Sequence, residues 1–263
     1  MKYVDKTTTG GKVVKLKDYK KRARRNRIRR KTLLICFIIV VIVLILTHAP
    51  FMKISKINCY GNEIVSSEDI ISSSKICKGN NIFRVNKNKA IDNIKELPYI
   101  KDVVIRRKLP STMNINVTES VVSSYINMKN TYVYLDDEGK ILEKSDVPPQ
   151  NVCPILNGVT LTEHVVNRPA VFKNNNQFNV YKEIISIINN SKFVGKITLI
   201  DIKDTKDIKI TVNNSLQIII GDTDNLDYKV NFLASGAYDS IGDNRTGSLD
   251  VSHGNNAVYK DVH

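Results

Sequence analysis

The chain has 263 residues, 42% hydrophobic and 25% charged, which is long enough for one large or two small domains. Its formal net charge of +14 is concentrated at one end, because residues 1–31 hold fourteen Lys and Arg against two Asp, whereas the other 232 residues hold 26 basic and 24 acidic residues. This distribution argues against a specific nucleic-acid-binding function. The basic tail predicts only nonspecific contacts with phosphates or, more simply, with anionic lipid.

A basic run from Lys20 to Lys31 precedes fourteen consecutive apolar residues, Leu33 to Leu46. A helix needs about 20 residues to cross a bilayer, and residues 47–52 lengthen the apolar segment enough to meet this requirement. No polar stripe recurs at helical spacing inside the run, unlike in an amphipathic helix of a soluble core. The sequence therefore predicts a cytoplasmic tail over residues 1–31 and a transmembrane helix over residues 32–52.

A cleaved signal peptide is the alternative interpretation of this apolar run. Thr47-His48-Ala49 would be its cleavage site, but the 32 residues that precede the run are far more than the short basic region of a signal peptide. An uncleaved single-pass anchor is favoured on this ground. The positive-inside rule then keeps the basic tail in the cytoplasm and places residues 53–263 outside it.

The segment over residues 53–119 has the pattern of a small domain of order β-α-α-β-β. Alternating apolar residues predict its strands, whereas apolar residues three and four apart, flanked by capping and stop residues, predict its helices. The elements are expected at Ile54–Cys59, from Ser66 to about Ile71, Lys87–Leu97, Ile100–Lys108 and Met113–Val117.

The following segment, residues 120–260, is rich in strands and contains two helices, so the fold class is α+β. Residues 145–176 are interpreted as a loop because Pro and Asn are frequent there. Two helices are predicted, at Phe178–Asn189 and Asn225–Gly236. The strands are predicted at Val121–Met128, Tyr132–Leu135, Ile141–Leu142, Ile197–Ile202, Ile208–Val212, Leu216–Ile220 and about Gly247–Ser252, with Ala257-Val258-Tyr259 close behind.

Short motifs spread over residues 53–119 carry a resemblance to a known family. They are Gly61-Asn62 after the first strand, Asn81-Ile82-Phe83, Leu97-Pro98-Tyr99-Ile100, and Leu109-Pro110 followed by Ile115, Val117 and Glu119. In this order they resemble the POTRA domain of the FtsQ/DivIB bacterial cell-division proteins. The resemblance implies a POTRA domain over residues 53–119 and the family's β-domain over residues 120–260. The second match rests on DDEGKIL, on IIIGD with DYKVNFL, and on GSLDVS. Ser120-Val121-Val122-Ser123-Ser124 departs from the Arg and Pro that commonly follow this Glu.

Motifs for catalysis or metal binding are weak. The four His have no zinc-site spacing, and no GxSxG sequence occurs. Ser72 and Lys75 match the SxxK of penicillin-binding enzymes, but the SDN and KTG sequences that complete such a site are missing. The acidic clusters at Asp136–Glu138 and at Asp201, Asp204 and Asp207 are interpreted as solvated loops. No enzyme activity, catalytic residue, metal ligand, cofactor or small-molecule substrate is predicted.

The cysteines stand at 36, 59, 77 and 153, without a CxxC motif. Cys59 and Cys77 could form a disulfide outside the cytoplasm, but Cys153 would then have no disulfide partner. Free thiols are an equally good expectation.

The resemblance implies a non-catalytic scaffold of the cell-division machinery at the septum, which links FtsB/DivIC-type and FtsL-type bitopic partners and regulates septal peptidoglycan synthesis. The resemblance implies that the distal part of the β-domain binds these partners, and the exposed edge of a sheet there could accept a partner strand. Leu249 and Val251 are interpretable equally well as core residues. A POTRA-bearing envelope protein of an export or surface-assembly pathway is the alternative function. The candidate partner-binding residues are Ser248, Leu249, Asp250, Val251, Ser252 and Tyr259.

Overall fold

The computed structural model describes residues 16–48, 50–129, 131–147, 149, 153–238, 240–241, 246–253 and 256–261. Residues 1–15 of the predicted tail lie outside this part of the chain. The contacts divide the chain into two compact units. The first contains the N-terminal helix with residues 50–56, 77–85 and 107–112, and the second contains the rest of the described chain.

The first helix, α1 (Leu16–His48), contains both the basic run and the apolar run. Side chains from residue 24 to residue 45 are all exposed, the large apolar ones included. A short 3-10 turn at Pro50–Met52 follows, so α1 ends before the limit expected for a helix over residues 32–52. Pro50 explains this, since it has no N–H with which to continue an α-helix. Within the described residues, no helix has a stretch both long and apolar enough to cross a membrane.

Residues 56–119 have the predicted order β-α-α-β-β. The three strands form one sheet in the order β1–β3–β2, in which β3 is central. The elements are β1 (Lys56–Tyr60), α2 (Ser67–Ser74), α3 (Lys87–Lys95), β2 (Ile100–Lys108) and β3 (Thr112–Glu119).

Polar caps fix where the two helices of this sheet begin. Ser66 Oγ accepts a hydrogen bond from the Asp69 backbone N–H at 3.1 Å and donates to Asp69 Oδ2 at 2.7 Å. Asn86 Oδ1 accepts from the Lys89 N–H at 3.2 Å. Each cap stabilises its helix by about 1 kcal/mol. Behind the caps, α2 buries Ile70 and α3 buries Ala90 and Ile94.

Glu119 explains why Gly61-Asn62 and a distant Glu belong to one motif. Its carboxylate accepts hydrogen bonds from the backbone N–H groups of Glu63, Ile64 and Val65 at 3.0, 2.8 and 2.8 Å. Gly61 begins this loop with a φ of +80°, and a Cβ atom there would collide with the Val117 carbonyl oxygen. The end of β3 therefore holds the loop that follows β1.

Replacing Glu119 by Gln is expected to lower the free energy of unfolding by about 1–3 kcal/mol, since an amide offers one oxygen and no charge to three N–H donors. Chemical denaturation of the full chain measures this loss. Glu63→Gln is the matched control, because Glu63 is an exposed carboxylate beside the same loop. Equal stability of the two variants would contradict the role of the Glu119 carboxylate.

The second sheet, within residues 124–261, has nine strands in the order β14-β13-β12-β11-β10-β7-β4-β5-β6. Two helices pack their apolar faces into its core, α4 (Asn175–Asn189) and α5 (Leu226–Phe232). The strands are β4 (Ser124–Met128), β5 (Thr131–Leu135), β6 (Ile141–Ser145), β7 (Ile155–Asn157), β8 (Leu161–Glu163), β9 (Val171–Phe172), β10 (Ile197–Asp201), β11 (Ile208–Val212), β12 (Leu216–Gly221), β13 (Gly247–Asp250) and β14 (Val258–Asp261).

The prediction of a loop over residues 145–176 is wrong, because β7, β8 and β9 lie within it. β7 pairs in parallel with both β10 and β4, and so joins the β4–β5–β6 strands to the other half of the sheet. β8 and β9 form a separate antiparallel pair. Strands of two or three residues are too short to show a period of two, which is why the sequence pattern did not indicate them.

Asp136 is buried, with 2% of its surface exposed, which corrects its interpretation as part of a solvated loop, whereas the side chains of Asp137 and Glu138 are exposed as expected. Its Oδ2 accepts from Ser120 Oγ at 2.9 Å. Its Oδ1 accepts from the backbone N–H groups of Glu138 and Lys140 at 2.9 and 2.8 Å. The Tyr181 hydroxyl donates to the Asp136 carbonyl oxygen at 2.7 Å. Because three donors within the fold bond this carboxylate, its role is to stabilise the structure.

Three further contacts join the start of β2 to the β5–β6 hairpin. Lys101 Nζ bonds Asp137 Oδ2 at 2.8 Å, and Lys140 Nζ donates to the Ile100 carbonyl oxygen at 2.9 Å. The Tyr99 hydroxyl donates to Glu143 Oε2 at 2.7 Å. Together with Ser120, these contacts attach β2 and the end of β3 to the nine-stranded sheet.

Candidate partner-binding surface

The predicted binding residues lie at the C-terminal side of the nine-stranded sheet. β13 pairs in parallel with β12 on one side and antiparallel with β14 on the other. In the described part of the chain, β14 is the last strand on this side of the sheet. The candidate edge is therefore β14, which follows the strand predicted at about Gly247–Ser252.

The structure assigns two of the six candidates to the core. Leu249 and Val251 are 1% and 0% exposed, so their side chains cannot contact a partner without unfolding. Ser248 and Asp250 are half-buried, and their side chains alternate with Leu249 along the strand. Tyr259 lies opposite Leu249 in the ladder.

Asp250 and Ser252 form a turn at the end of β13. Asp250 Oδ1 accepts from the Ser252 backbone N–H at 2.9 Å and from Ser252 Oγ at 2.7 Å. The hydrogen bond from the Ser252 side chain holds the pKa of Asp250 below its usual value. The two side chains bond each other, so they hold the turn over residues 250–252.

β14 is held closely against β13. The Tyr259 hydroxyl donates to the Thr246 carbonyl oxygen at 2.7 Å. Gly247, at a φ of +138°, lies where a Cβ atom would collide with the Lys260 carbonyl oxygen. Ala257-Val258-Tyr259, predicted only to follow the last strand closely, belongs in part to β14 (Val258–Asp261).

The hydrogen bonds of β13 show which backbone groups of β14 point away from the sheet. Gly247 N–H and Val251 N–H donate to Ser215 and Ile219 of the β12 side, so odd-numbered residues of β13 bond β12. Ser248 and Asp250 therefore exchange bonds with Lys260 and Val258, which lie opposite them. The backbone N–H and C=O of Asp261 consequently point away from β13. Val258 adds an apolar side chain that is 53% exposed.

A cleft of about 500 Å³ opens beside this edge, where β12 and β13 end. Lys229 is buried within its wall and bonds Asp222 Oδ1 at 2.9 Å, which holds the pKa of Asp222 below its usual value. Tyr228 is exposed and stacks on Phe232. No motif in the sequence predicted a site at these residues. The lining residues are Asp222, Asp224, Asn225, Tyr228, Lys229, Ser252 and His253.

Acid is expected to destabilise the chain through Asp222. Because its folded pKa is depressed, the stabilising contribution is complete above the unfolded pKa of about 3.9 and is lost as pH falls through the folded value. Asp222→Asn should lack this contribution at neutral pH and show a shallower acid dependence, measured by denaturation at a series of pH values. Asp224→Asn, which changes an exposed neighbour, is the control and should keep the wild-type slope. Identical slopes for wild type and D222N would refute this assignment.

The groups weighed for enzyme chemistry have structural partners. Ser72 Oγ donates to the Asp69 carbonyl oxygen at 2.9 Å, as a helical serine does. Asp207 pairs with Lys209 at 2.7 Å, and Asp201 Oδ2 accepts from Asn157 at 2.9 Å. Within the described residues, the cysteines at 36, 59, 77 and 153 form no disulfide. Among the described residues, no cluster of three or more His, Cys, Asp or Glu could hold a metal ion.

The family model and the curated relatives indicate the same family. The family model for "POTRA domain, FtsQ-type" matches residues 52–120. Cell division protein DivIB of Clostridium acetobutylicum is 34% identical over 80% of this chain and 83% of its own length. Cell division protein DivIB of Clostridium tetani is 32% identical over 69% of this chain and 68% of its own. A solved extracytoplasmic domain of DivIB from Geobacillus stearothermophilus overlaps 46% of this chain and 91% of that domain, with 14% identity and a TM-score of 0.31.

The β-α-α-β-β fold with its family match, followed by a mostly-β region, defines a POTRA-domain protein of mixed α+β class. The identity to relatives extends well beyond the POTRA domain, over most of the chain. The chain belongs to the FtsQ/DivIB family of bacterial cell-division proteins.

Proposed function

We propose that this chain is a non-catalytic scaffold of the division machinery, anchored in the cell membrane by α1 and concentrated at the septum. Family membership over most of the chain is the observation that carries the proposal. The same membership favours division over the alternative of an export or surface-assembly pathway. In this account the buried and paired polar groups serve folding and binding, and none performs chemistry on a substrate.

The anchor is supported by the apolar run of α1 and by its basic flank. Fourteen apolar residues at 1.5 Å per residue cover about 21 Å, which is most of the roughly 30 Å hydrocarbon thickness. The large apolar side chains from Leu33 to Ile45 are exposed on all sides of the helix, as lipid-facing residues are. The basic residues that precede them keep this end in the cytoplasm and bind anionic lipid there. Residues 53–263 then lie outside the cytoplasm.

The proposed partners are bitopic division proteins of the FtsB/DivIC and FtsL types, bound by addition of a strand to β14. Main-chain hydrogen bonds to Asp261 would give affinity, and the exposed Val258 would give side-chain specificity. Of the six candidates, Ser248, Asp250, Ser252 and Tyr259 stay near this surface, whereas Leu249 and Val251 support it from the core. Through these partners the scaffold would regulate septal peptidoglycan synthesis.

A fluorescent fusion expressed in place of the native protein tests the division role. The fusion should accumulate at mid-cell as septation begins, and depletion should produce long, undivided cells. The same fusion lacking β14 should accumulate at normal levels without restoring division. Uniform envelope fluorescence together with normal septation after depletion would refute the proposal.

A further inference from the structure

The residues of the first unit that follow α1 come together from three separate parts of the sequence. The Ile82 N–H donates to the Met52 carbonyl oxygen at 2.9 Å, and the Ile54 N–H donates to Asn80 at 2.9 Å. The Ser55 N–H donates to the Ser111 carbonyl oxygen at 2.9 Å. Residues 50–56, 77–85 and 107–112 are thus joined directly after the apolar helix.

These three segments carry charge of one sign only. They contain six basic residues and no Asp or Glu. Arg107 is half-buried, and its guanidinium donates to the Ile82 and Val85 carbonyl oxygens at 2.8 and 2.9 Å, so it serves the fold. The other five are exposed, and we name them the basic cap: Lys53, Lys56, Lys78, Arg84 and Lys108.

The excess of basic residues in these segments is notable because basic and acidic residues are nearly equal in number over the chain outside the tail. Residues 32–263 hold 26 basic and 24 acidic residues, so six basic residues without an acidic neighbour in these segments mark a local departure from that balance. Among the described residues, no carboxylate forms an ion pair with a member of the basic cap. Unpaired cations of this kind are available to an external anion.

Exposed apolar side chains accompany the basic cap. Phe51, Phe83 and Leu109 are 58%, 39% and 57% exposed, one in each of the three segments. Along the first segment, Met52 and Ile54 are buried, whereas the Phe51 ring and the Lys53 side chain are exposed. Lys53 also pairs with Asn81, which brings the segment of Phe83 and Arg84 alongside.

We propose that the basic cap docks on the outer surface of the membrane that holds α1, with its cations on anionic lipid phosphates and its exposed rings among the headgroups. Large apolar side chains mixed with basic residues are the composition of interfacial membrane-binding surfaces. The continuity of the chain fixes the partner, because Phe51 and Lys53 follow the end of α1 by three and five residues. This inference rests on the proposed anchor, but it concerns the opposite face of the membrane from the basic tail.

Docking restricts the first folded domain to the membrane surface. Without the basic cap, α1 alone would attach this domain to the membrane, whereas docking adds a second attachment beside it.

Tryptophan fluorescence of the full chain in lipid nanodiscs tests the inference, because the natural sequence contains no Trp. Phe83→Trp places a reporter beside the basic cap, and Tyr228→Trp places one on an exposed site of α5. Discs are made with brominated lipids, either zwitterionic phosphatidylcholine alone or a mixture with anionic phosphatidylglycerol. Retention of the chain in the discs, measured by size-exclusion chromatography, reports on the anchor separately.

F83W emission should be quenched at least about twofold in anionic discs, should recover in 1 M salt where the Debye length is about 3 Å, and should be quenched less in zwitterionic discs. Y228W emission should not be quenched.

Adding Arg84→Gln and Lys108→Gln to the F83W chain should abolish the quenching. Adding Lys144→Gln and Lys173→Gln instead, which removes the same charge from exposed positions elsewhere, should leave the quenching unchanged. A retained chain without quenching, or equal quenching in both lipids, overturns docking while leaving the anchor standing. A chain that elutes free of the discs overturns both.

Discussion

Replacing Asp136 by Ala is expected to lower the free energy of unfolding by about 3–5 kcal/mol, one of the largest effects of any single substitution in this chain. The carboxylate is buried and accepts from the Ser120 hydroxyl and from the Glu138 and Lys140 N–H groups. Its removal leaves three donors without their acceptor in a site closed to water. Thermal or chemical denaturation of the full chain measures the loss.

Asp137→Ala is the matched control, because it removes a neighbouring carboxylate of the same turn. Asp137 pairs with Lys101 at 2.8 Å, but both side chains are more than a third exposed. A pair of this kind contributes about 0–1 kcal/mol. If D136A and D137A were equally stable, the buried Asp136 network would not hold the β5–β6 turn to Ser120.

The largest expected effect on binding is that of Asp261→Pro. The substitution removes the N–H of Asp261 that points away from β13 and places a proline ring in the path of an added strand. The loss of one backbone hydrogen bond, together with the steric conflict, should raise the dissociation constant of the complex with an FtsB/DivIC-type partner about tenfold or more. Titration of the purified partner against the full chain, by calorimetry or fluorescence anisotropy, measures the dissociation constant.

Two control variants distinguish the loss of an outward-pointing N–H of β14 from the detachment of β14 itself. Asp261→Ala keeps the N–H, so it should bind like the wild type. Lys260→Pro removes an N–H that faces β13, so it should detach β14 and lower both stability and binding. Wild-type affinity of D261P, at unchanged stability, would show that the partner does not add to β14.

The sequence predicted the POTRA region closely because its signals are local. Ser66 and Asn86 cap their helices through residues three positions ahead, and β2 runs over the expected Ile100–Lys108. The family motif is not local, since Gly61 and Glu119 fix one loop from distant positions, but its short sequence matches could be recognised in order along the chain. Signals of this kind depend on neighbours along the chain or on the next strand, so they remain readable without coordinates.

The larger sheet was harder to predict because its order depends on pairings that sequence does not display. β7 has three residues, too few for a pattern, yet it joins the two halves of the sheet. Asp136 stands in a run of acidic residues that is typical of solvent-exposed loops. It is nevertheless buried, and it forms hydrogen bonds with Ser120 and Tyr181, which are 16 and 45 positions away. Likewise the sequence left Leu249 and Val251 equally open to a binding or a core role, and their burial in the core of the larger sheet decides between the two.

Co-purification of the full chain from detergent-solubilised membranes tests the central claim most directly. A tagged wild-type chain should recover FtsB/DivIC-type and FtsL-type proteins together, in amounts comparable to its own, and the D261P variant should recover about tenfold less of both. A chain that returns from dividing cells without this pair, or with components of an export pathway in its place, would contradict the assignment to the division machinery.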